Sequence, residues 1–435
     1  MSTNHSRREF LKQACCGAVT APYIIATGFP GIVPPSRRIT LACIGTGLQG
    51  SWDTRQFLHD PRVQIVAACD VDLKRAKTMA AVIDDHYSKQ SSSGQYKGCE
   101  VTQDFRELIV RNDIDAVLIA TPDHMHGVIA VMAARSGKDI YCEKPLASTV
   151  AEGRAIVETV KRYGRVLQTG TQRRSGATFR HGCELVRNGR IGKLNTVRIG
   201  PGRGFHIQGD FTGHESQQSV PPDFNYDLWL GPAPWVAYTP GRCHFNFRWI
   251  LDYSEGYISD NGVHFVDLGT WGMGTDLTGP EHIDGTAVFP TSGFYDAPTD
   301  FSITYTYANG LRLINSSSET FGVRFEGNDG WIHLSGGDVT ASSDSILRSE
   351  IGPGDIHLRS GAPVHQADFI DCVLSRQLPA AHAEIGHRTA SVCHLGFISC
   401  RLGRPLKWDP ALEIFPDDMS ANRMLSRAMR TPWNI

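Results

Sequence analysis

The chain of 435 residues has eleven cysteines but no C-x-x-C pair among them. Zinc sites and redox-active dithiols rely on such spacing, so neither a metal site nor a disulfide framework is expected. Cys43, Cys69 and Cys142 fall instead in apolar runs, where a thiol packs as a small hydrophobe. Charge of one sign is not in excess either: 43 basic residues face 45 acidic ones, a formal net charge of −2. A partner recognised by bulk charge, such as nucleic acid or an anionic membrane face, is therefore not expected. Long hydrophobic runs are missing too. The apolar stretch from Ala14 to Ala26 is broken by Gly17 and Pro22 and is too short for a comfortable bilayer crossing, so no stable membrane span is expected in the mature protein. No internal repeat is visible. With 41% hydrophobic and 20% charged residues, the composition excludes a disordered chain and the length allows two or three domains.

The first 37 residues stand apart. Arg7-Arg8 followed by Phe10-Leu11-Lys12 and a weakly apolar stretch resembles a twin-arginine export signal, with an ordinary basic tail as the alternative. No clean A-x-A cleavage site follows. Export by this route carries folded proteins to the periplasm or cell envelope, so a cofactor travels with the chain and is held tightly or recycled within one catalytic cycle.

From residue 38 to about 160, apolar runs alternate with helical stretches: Ile39 to Ile44, Val63 to Cys69, Ala116 to Ala120 and Asp139 to Cys142 read as strands. Such alternation predicts an α/β domain with a parallel, doubly wound sheet. Residues 86–98, with Ser91-Ser92-Ser93-Gly94, read as a loop. From 161 to about 410 the texture changes. Residues 200–250 are rich in Gly, Pro and aromatics, and a segment that long without periodicity is usually functional. Phe301 to Tyr307 alternates strictly, and Asn328-Asp329-Gly330 marks a hairpin, which predicts a second domain with a mostly antiparallel sheet. Residues 411–435 read as a C-terminal tail.

Gly45, Gly47 and Gly50 form G-x-G-x-x-G between a strand and a helix, with Thr46, Leu48 and Gln49 between them. The first glycine permits the turn, the second admits a pyrophosphate to the backbone, and the third lets helix and strand pack. Asp70, at the end of the next apolar run, stands where a carboxylate binds ribose hydroxyls. It would repel a 2′-phosphate, which favours NAD over NADP, although Lys74 and Arg75 soften that preference. Thr121-Pro122-Asp123-His124-Met125-His126 follows the fourth strand at its carboxyl end, where ligands of doubly wound sheets bind. His124 and His126 have no third metal ligand in view. Glu143-Lys144-Pro145 follows the fifth strand and fixes a lysine at the same edge. Asp260 and His264 lie one helical turn apart; the alternative to a catalytic pair is an N-cap with a packed histidine. Asp267 extends the acidic face and is placed to orient His264.

Together these motifs resemble the Gfo/Idh/MocA oxidoreductases over essentially everything after the signal. The resemblance rests on 45–50, Asp70, T-P-x-x-x-H at 121–126, E-K-P at 143–145 and D-x-x-x-H at 260–264. It implies a Rossmann domain followed by an α/β domain whose large open sheet often builds a homodimer or homotetramer. It implies that Lys144, Asp260 and His264 are the catalytic set, and that Thr121, Pro122, His126 and Glu143 stand with the glycine loop around the cofactor. The Lys144–Pro145 peptide is cis in some relatives. Arg173, Arg248 and Trp249 are candidates for contacts to a sugar-like substrate. One branch of the family consists of NAD-dependent glycosidases that oxidise, eliminate and re-reduce. The E-K-P tripeptide favours an outright sugar dehydrogenase or oxidoreductase, with the cyclic glycosidase or lyase as the alternative and a non-catalytic dinucleotide-binding protein as a third class.

Overall fold

Six short apolar runs make the first sheet of the computed structural model, which describes residues 38–90, 96–359 and 361–435. The export segment expected within 1–37 lies outside those residues, as does the serine-rich centre of the expected loop. Residues 86–90 are not loop: they continue the helix that precedes them. The strands are β1 (Ile39–Ile44), β2 (Val63–Cys69), β3 (Glu100–Thr102), β4 (Ala116–Ile119), β5 (Asp139–Cys142) and β6 (Leu167–Thr169). They run in the order β3-β2-β1-β4-β5-β6. Every pairing is parallel. Helices α1 (Leu48–Leu58), α2 (Leu73–Gln90), α3 (Phe105–Ile109), α4 (Asp123–Arg135) and α5 (Val150–Arg162) connect them. β4 and β5 are buried at every residue, as strands covered on both faces must be. The sheet runs past residue 160, where the second domain was expected to begin. Leu167–Thr169 is buried throughout and pairs with β5, so it belongs to the parallel sheet.

Strand order reverses between β1 and β4. The turns that leave these two strands, at Gly45 and Thr121, flank the crevice where doubly wound sheets hold ligands.

The second sheet has eight strands in the order β13-β12-β11-β7-β10-β9-β8-β14. They are β7 (Leu194–Gly200), β8 (His282–Val288), β9 (Asp300–Thr306), β10 (Arg312–Ser316), β11 (Gly322–Gly327), β12 (Trp331–Ser335), β13 (Asp338–Ala341) and β14 (Leu406–Lys407). β7 and β10 pair in parallel and the other neighbours are antiparallel. The alternation read in β9 is realised: Phe301, Ile303 and Tyr305 are buried while Ser302 is exposed. One face of this sheet packs on α6 (Ala177–Arg187), α7 (Gly262–Met273) and a long helix, α9 (Ala383–Leu402). α8 (His365–Ser375) packs instead on the first sheet, with Phe369 against Phe57 and Tyr141.

Residues 201–258 have little regular structure, yet they are not a loose loop. Phe224, Tyr226, Trp229, Tyr238, Phe247, Trp249 and Tyr253 form a separate aromatic core. Residues 411–435, expected as a tail, are integral to the fold. Phe415 is fully buried in the core of the second sheet, and Trp433 is buried in the core of the first, stacked on Phe105 at 6.1 Å between centroids. Burial of two large aromatic rings fixes a segment that has no periodicity to announce it. Among the described residues, no helix is long and apolar enough to cross a membrane.

Candidate active site

The glycine turn is built around contacts that a side chain would forbid. Gly45 has φ +86°, and a Cβ there would lie 2.5 Å from the Ala120 carbonyl oxygen. A Cβ on Gly50 would lie 2.0 Å from the Gly45 carbonyl oxygen. Both glycines are thus set by the approach of α1 to the turns after β1 and β4. Gly45, Gly47, Leu48 and Gln49 line one end of a cleft of about 530 Å³, and the backbone N–H groups of the first turn of α1 open toward it. Asp70 lines the same end. Its carboxylate accepts the Thr46 N–H at 2.8 Å and the Asp72 N–H at 2.9 Å, bonds that offset part of the burial raising its pKa. Thr46 is therefore an orienting partner of Asp70 and not part of the cleft wall. This cradle fits a dinucleotide.

Thr121, Pro122, Glu143 and Lys144 line the same cleft beside the glycine turn. The Lys144–Pro145 peptide is cis. Lys144 Nζ lies 2.8 Å from Asp260 Oδ1 and 2.9 Å from the Asp260 carbonyl oxygen. Arg248 Nε reaches the same carboxylate oxygen at 3.3 Å. Burial alone would raise the Asp260 pKa, but the two cations hold it well below the usual carboxylate range. Asp260 is not an N-cap, the alternative weighed for it. Asn261 occupies that position without a side-chain cap, because charge-assisted bonds to Lys144 and Arg248 take the Asp260 oxygens.

His264 lies one turn into α7. Burial, with Lys144 and Arg173 adding positive charge, pushes its pKa well below the ordinary value, so the imidazole is neutral. Its Nδ1 has no hydrogen-bond partner. Asp267 does not orient it: that carboxylate is fully buried and receives Arg174 Nε at 2.8 Å and Thr389 Oγ1 at 3.3 Å. A second carboxyl cluster lies behind the cleft. Glu143 accepts Gln172 Nε2 at 2.8 Å, and Gln49 Nε2 stands 3.5 Å from Glu143 and 3.3 Å from Asp53. Burial, with the neighbouring Glu143 charge, raises the Asp53 pKa, and burial pushes Glu143 up to about 7.

The remaining expected residues divide. Arg248 lines the cleft. Trp249 does not: it is 1% exposed, in the aromatic core, with its indole N–H bonded to the His206 carbonyl at 3.1 Å. Arg173 is not on the wall either. Its guanidinium lies 4.7 Å from the centre of the Phe265 ring, beside His264. His126 is buried, with Nδ1 2.7 Å from the Pro145 carbonyl and Nε2 2.8 Å from the Thr121 carbonyl. It clamps the two turns together and does not face the cleft. Sequence reasoning missed Asp123, Gln208, Phe224, Trp229 and Phe247, all on the wall. Asp123 stood inside a motif already in view. The aromatic residues carried no signal beyond composition.

Two family models match the chain: an oxidoreductase family NAD-binding Rossmann fold over residues 39–171, and an oxidoreductase family C-terminal alpha/beta domain over residues 175–435. An uncharacterised oxidoreductase of Bacillus subtilis, YrbE, is 24% identical over 66% of this chain and 70% of its own length. An alpha-N-acetylgalactosaminidase of Shewanella oneidensis is 31% identical, but the match spans only 44% of each protein. The crystal structure of the WlbA dehydrogenase of Bordetella pertussis, in complex with NADH and UDP-GlcNAcA, superposes with a TM-score of 0.62 over 86% of this chain and 99% of that one, at 16% identity. The cleft begins at an NAD-binding Rossmann turn and ends at a lysine–aspartate pair, and the two family models together span nearly all of the fold: the chain is a member of the Gfo/Idh/MocA oxidoreductases.

Proposed function

We propose that the protein oxidises or reduces a hydroxyl-bearing carbon of a sugar or polyol, using a tightly held NAD. One observation carries the reading: Lys144, fixed by Asp260, stands on the wall of the same cleft that the glycine cradle lines. Gly45, Gly47, Gln49 and Asp70 hold the dinucleotide, and Thr121, Pro122 and Glu143 border its reactive end. When bound, the nicotinamide accepts or donates a hydride at the substrate carbon. Lys144 donates hydrogen bonds to the reacting oxygen and stabilises charge developing on it. Neutral His264, with Nδ1 unpaired, accepts the hydroxyl proton. Asp260 keeps Lys144 aimed, and Arg248 binds a neighbouring hydroxyl. A carboxylate at Asp70 favours NAD over NADP, with Arg75 on the same wall reducing the margin.

The Shewanella relative supports a second reading, in which the sugar is oxidised, eliminated and re-reduced so that a glycosidic bond is cleaved without net redox change. Export by the twin-arginine route and assembly into a homodimer or homotetramer through the open face of the second sheet complete the proposal. The test is direct. The protein is purified with its nucleotide, which is released by denaturation and identified by mass spectrometry. It is then offered glucose, myo-inositol and p-nitrophenyl glycosides, while reduced-nicotinamide absorbance and nitrophenol release are followed together. Absorbance change without release supports the dehydrogenase, release without net absorbance change the cyclic glycosidase, and neither signal with any member of the panel counts against both.

A further inference from the structure

Asp123 belongs to two cavities at once. On one side it lines the cleft, close to Lys144, Arg248 and Asp260. On the other it lines a second cavity of about 260 Å³, together with Ser254, Glu255 and His394. The carboxyl is 5% exposed, and its Oδ2 lies 2.6 Å from Ser254 Oγ, a bond that crosses from one cavity to the other. Ser254 lines only the rear cavity of the two. Beyond it, Glu255 Oε1 lies 2.9 Å from His394 Nδ1, while Glu255 Oε2 is buried without a hydrogen-bond partner. Glu255 itself is 9% exposed. The outer rim of this cavity carries Asp252, Arg423 and Ser426, all exposed, so the cavity opens on the protein surface.

We propose that Asp123 and Ser254 relay a proton between the cleft and this rear cavity, giving the substrate's hydroxyl proton a way out while cofactor and substrate fill the cleft. The inference rests on the hydride-transfer reading above. When a hydroxyl carbon is oxidised, the C–H bond breaks with its electron pair passing to the cofactor. The O–H bond breaks with its pair becoming the new C=O bond, and one proton remains to be removed. His264 cannot keep it, since burial and two neighbouring cations hold the imidazole neutral. Asp123 can. Burial raises its carboxyl to about 7, and the nearby Asp260 charge acts in the same direction, against Lys144, Arg248 and the Ser254 bond. Once protonated, the Asp123 carboxyl donates to Ser254 Oγ, and the serine hydroxyl turns its own hydrogen into the rear cavity. The remaining ionisable groups around this path are Cys142 on the sheet side and, in the rear cavity, the Glu255–His394 pair, Tyr253, Asp252, Arg423 and Arg427. Burial opposes charge on His394, but Glu255 raises its pKa, and the unpaired Glu255 oxygen is an acceptor for the proton leaving Ser254.

The test uses the full protein with NADH as a plug for the cleft, and infrared spectroscopy to follow the protonated-carboxyl C=O stretch. The parent-minus-Asp123→Asn difference spectrum should isolate a band titrating near pH 7, separate from the contribution of the Asp53–Glu143 carboxyls common to both proteins. On mixing with deuterium oxide, the band should shift as fast with NADH bound as without it, because the rear route stays open. In Ser254→Ala the exchange should slow at least tenfold, and only when NADH is bound. Exchange arrested by NADH in the parent, or equal rates in parent and Ser254→Ala with NADH bound, would overturn the relay, as would a parent-minus-Asp123→Asn spectrum without a titrating band. NADH fluorescence in the same sample reports whether the plug is in place. Failure to bind would sink the cofactor reading itself, and the relay with it, so the two failures are told apart.

Discussion

Lys144 keeps its place because one carboxylate oxygen serves two cations, at 2.8 Å from Lys144 and 3.3 Å from Arg248. Replacing Lys144 with Ala leaves Asp260 paired with Arg248, so no buried charge is stranded and the fold is expected to survive. Turnover should fall by about 10³-fold or more, as it does when an oxyanion donor is removed, while dinucleotide affinity changes little; kinetics and a fluorescence titration of bound NADH check both. Full activity would remove Lys144 from the mechanism. Asp123 makes a pH prediction. Its folded pKa of about 7 lies above the ordinary 3.8, so the folded state holds the proton more tightly than the unfolded chain. The stability from this group is therefore full below pH 3.8 and falls as pH rises toward 7, by roughly 4 kcal/mol at most for a shift of this size. Asp123→Asn escapes that loss. Its stability relative to the parent should climb between pH 4 and pH 7 and then level off, as read by denaturant unfolding at a series of pH values; a difference that does not vary with pH would contradict the buried-carboxyl assignment. Residue identity alone exposed Lys144, Asp260 and His264, because their spacing repeats a known pattern. It misplaced Trp249, since a tryptophan suits a sugar ring and an aromatic core equally well. The cap alternative for Asp260 stayed open because helical spacing shows the backbone donors and not the two cations brought in from Lys144 and Arg248.

At the level of elements, the turn between β1 and α1 was the most legible. Its glycines are demanded by contacts within a few residues and with one neighbouring turn, so spacing is enough to find it. Gly50→Ala places a methyl group 2.0 Å from the Gly45 carbonyl oxygen, and backbone must move to admit it. A loss of about 1–3 kcal/mol is expected from such overpacking, with dinucleotide affinity weakened at least tenfold; calorimetry and NADH titration test the pair. Unchanged binding would show that the close packing of α1 on β1 is not needed for the cradle. The segment 201–258 was illegible for the opposite reason. Its residues are held by an aromatic core assembled from distant positions, with neither the period of a helix nor that of a strand. The last turns of the chain escaped notice likewise, because Phe415 and Trp433 are single anchors and not a pattern.

For the whole molecule, two sheets carry two tasks: the parallel one presents the dinucleotide cradle, and the mixed one supplies Asp260 and His264 from the helix packed on its inner face. Strand alternation and motif order foretold both sheets, and the sharing of one cleft by Gly45 and Lys144 became visible only in three dimensions. Phe224, Trp229 and Phe247, which sequence did not reveal, line the cleft together with Arg248, which it did. The central claim is hydride transfer at a sugar or polyol carbon governed by Lys144. The most direct measurement is isotopic: the nucleotide-loaded protein is incubated with glucose and myo-inositol deuterated at carbon, and the nucleotide is released and weighed by mass spectrometry. The account predicts deuterium on the nicotinamide ring with the parent protein and none with Lys144→Ala; an unlabelled nucleotide from the parent, or equal labelling in both, would contradict it.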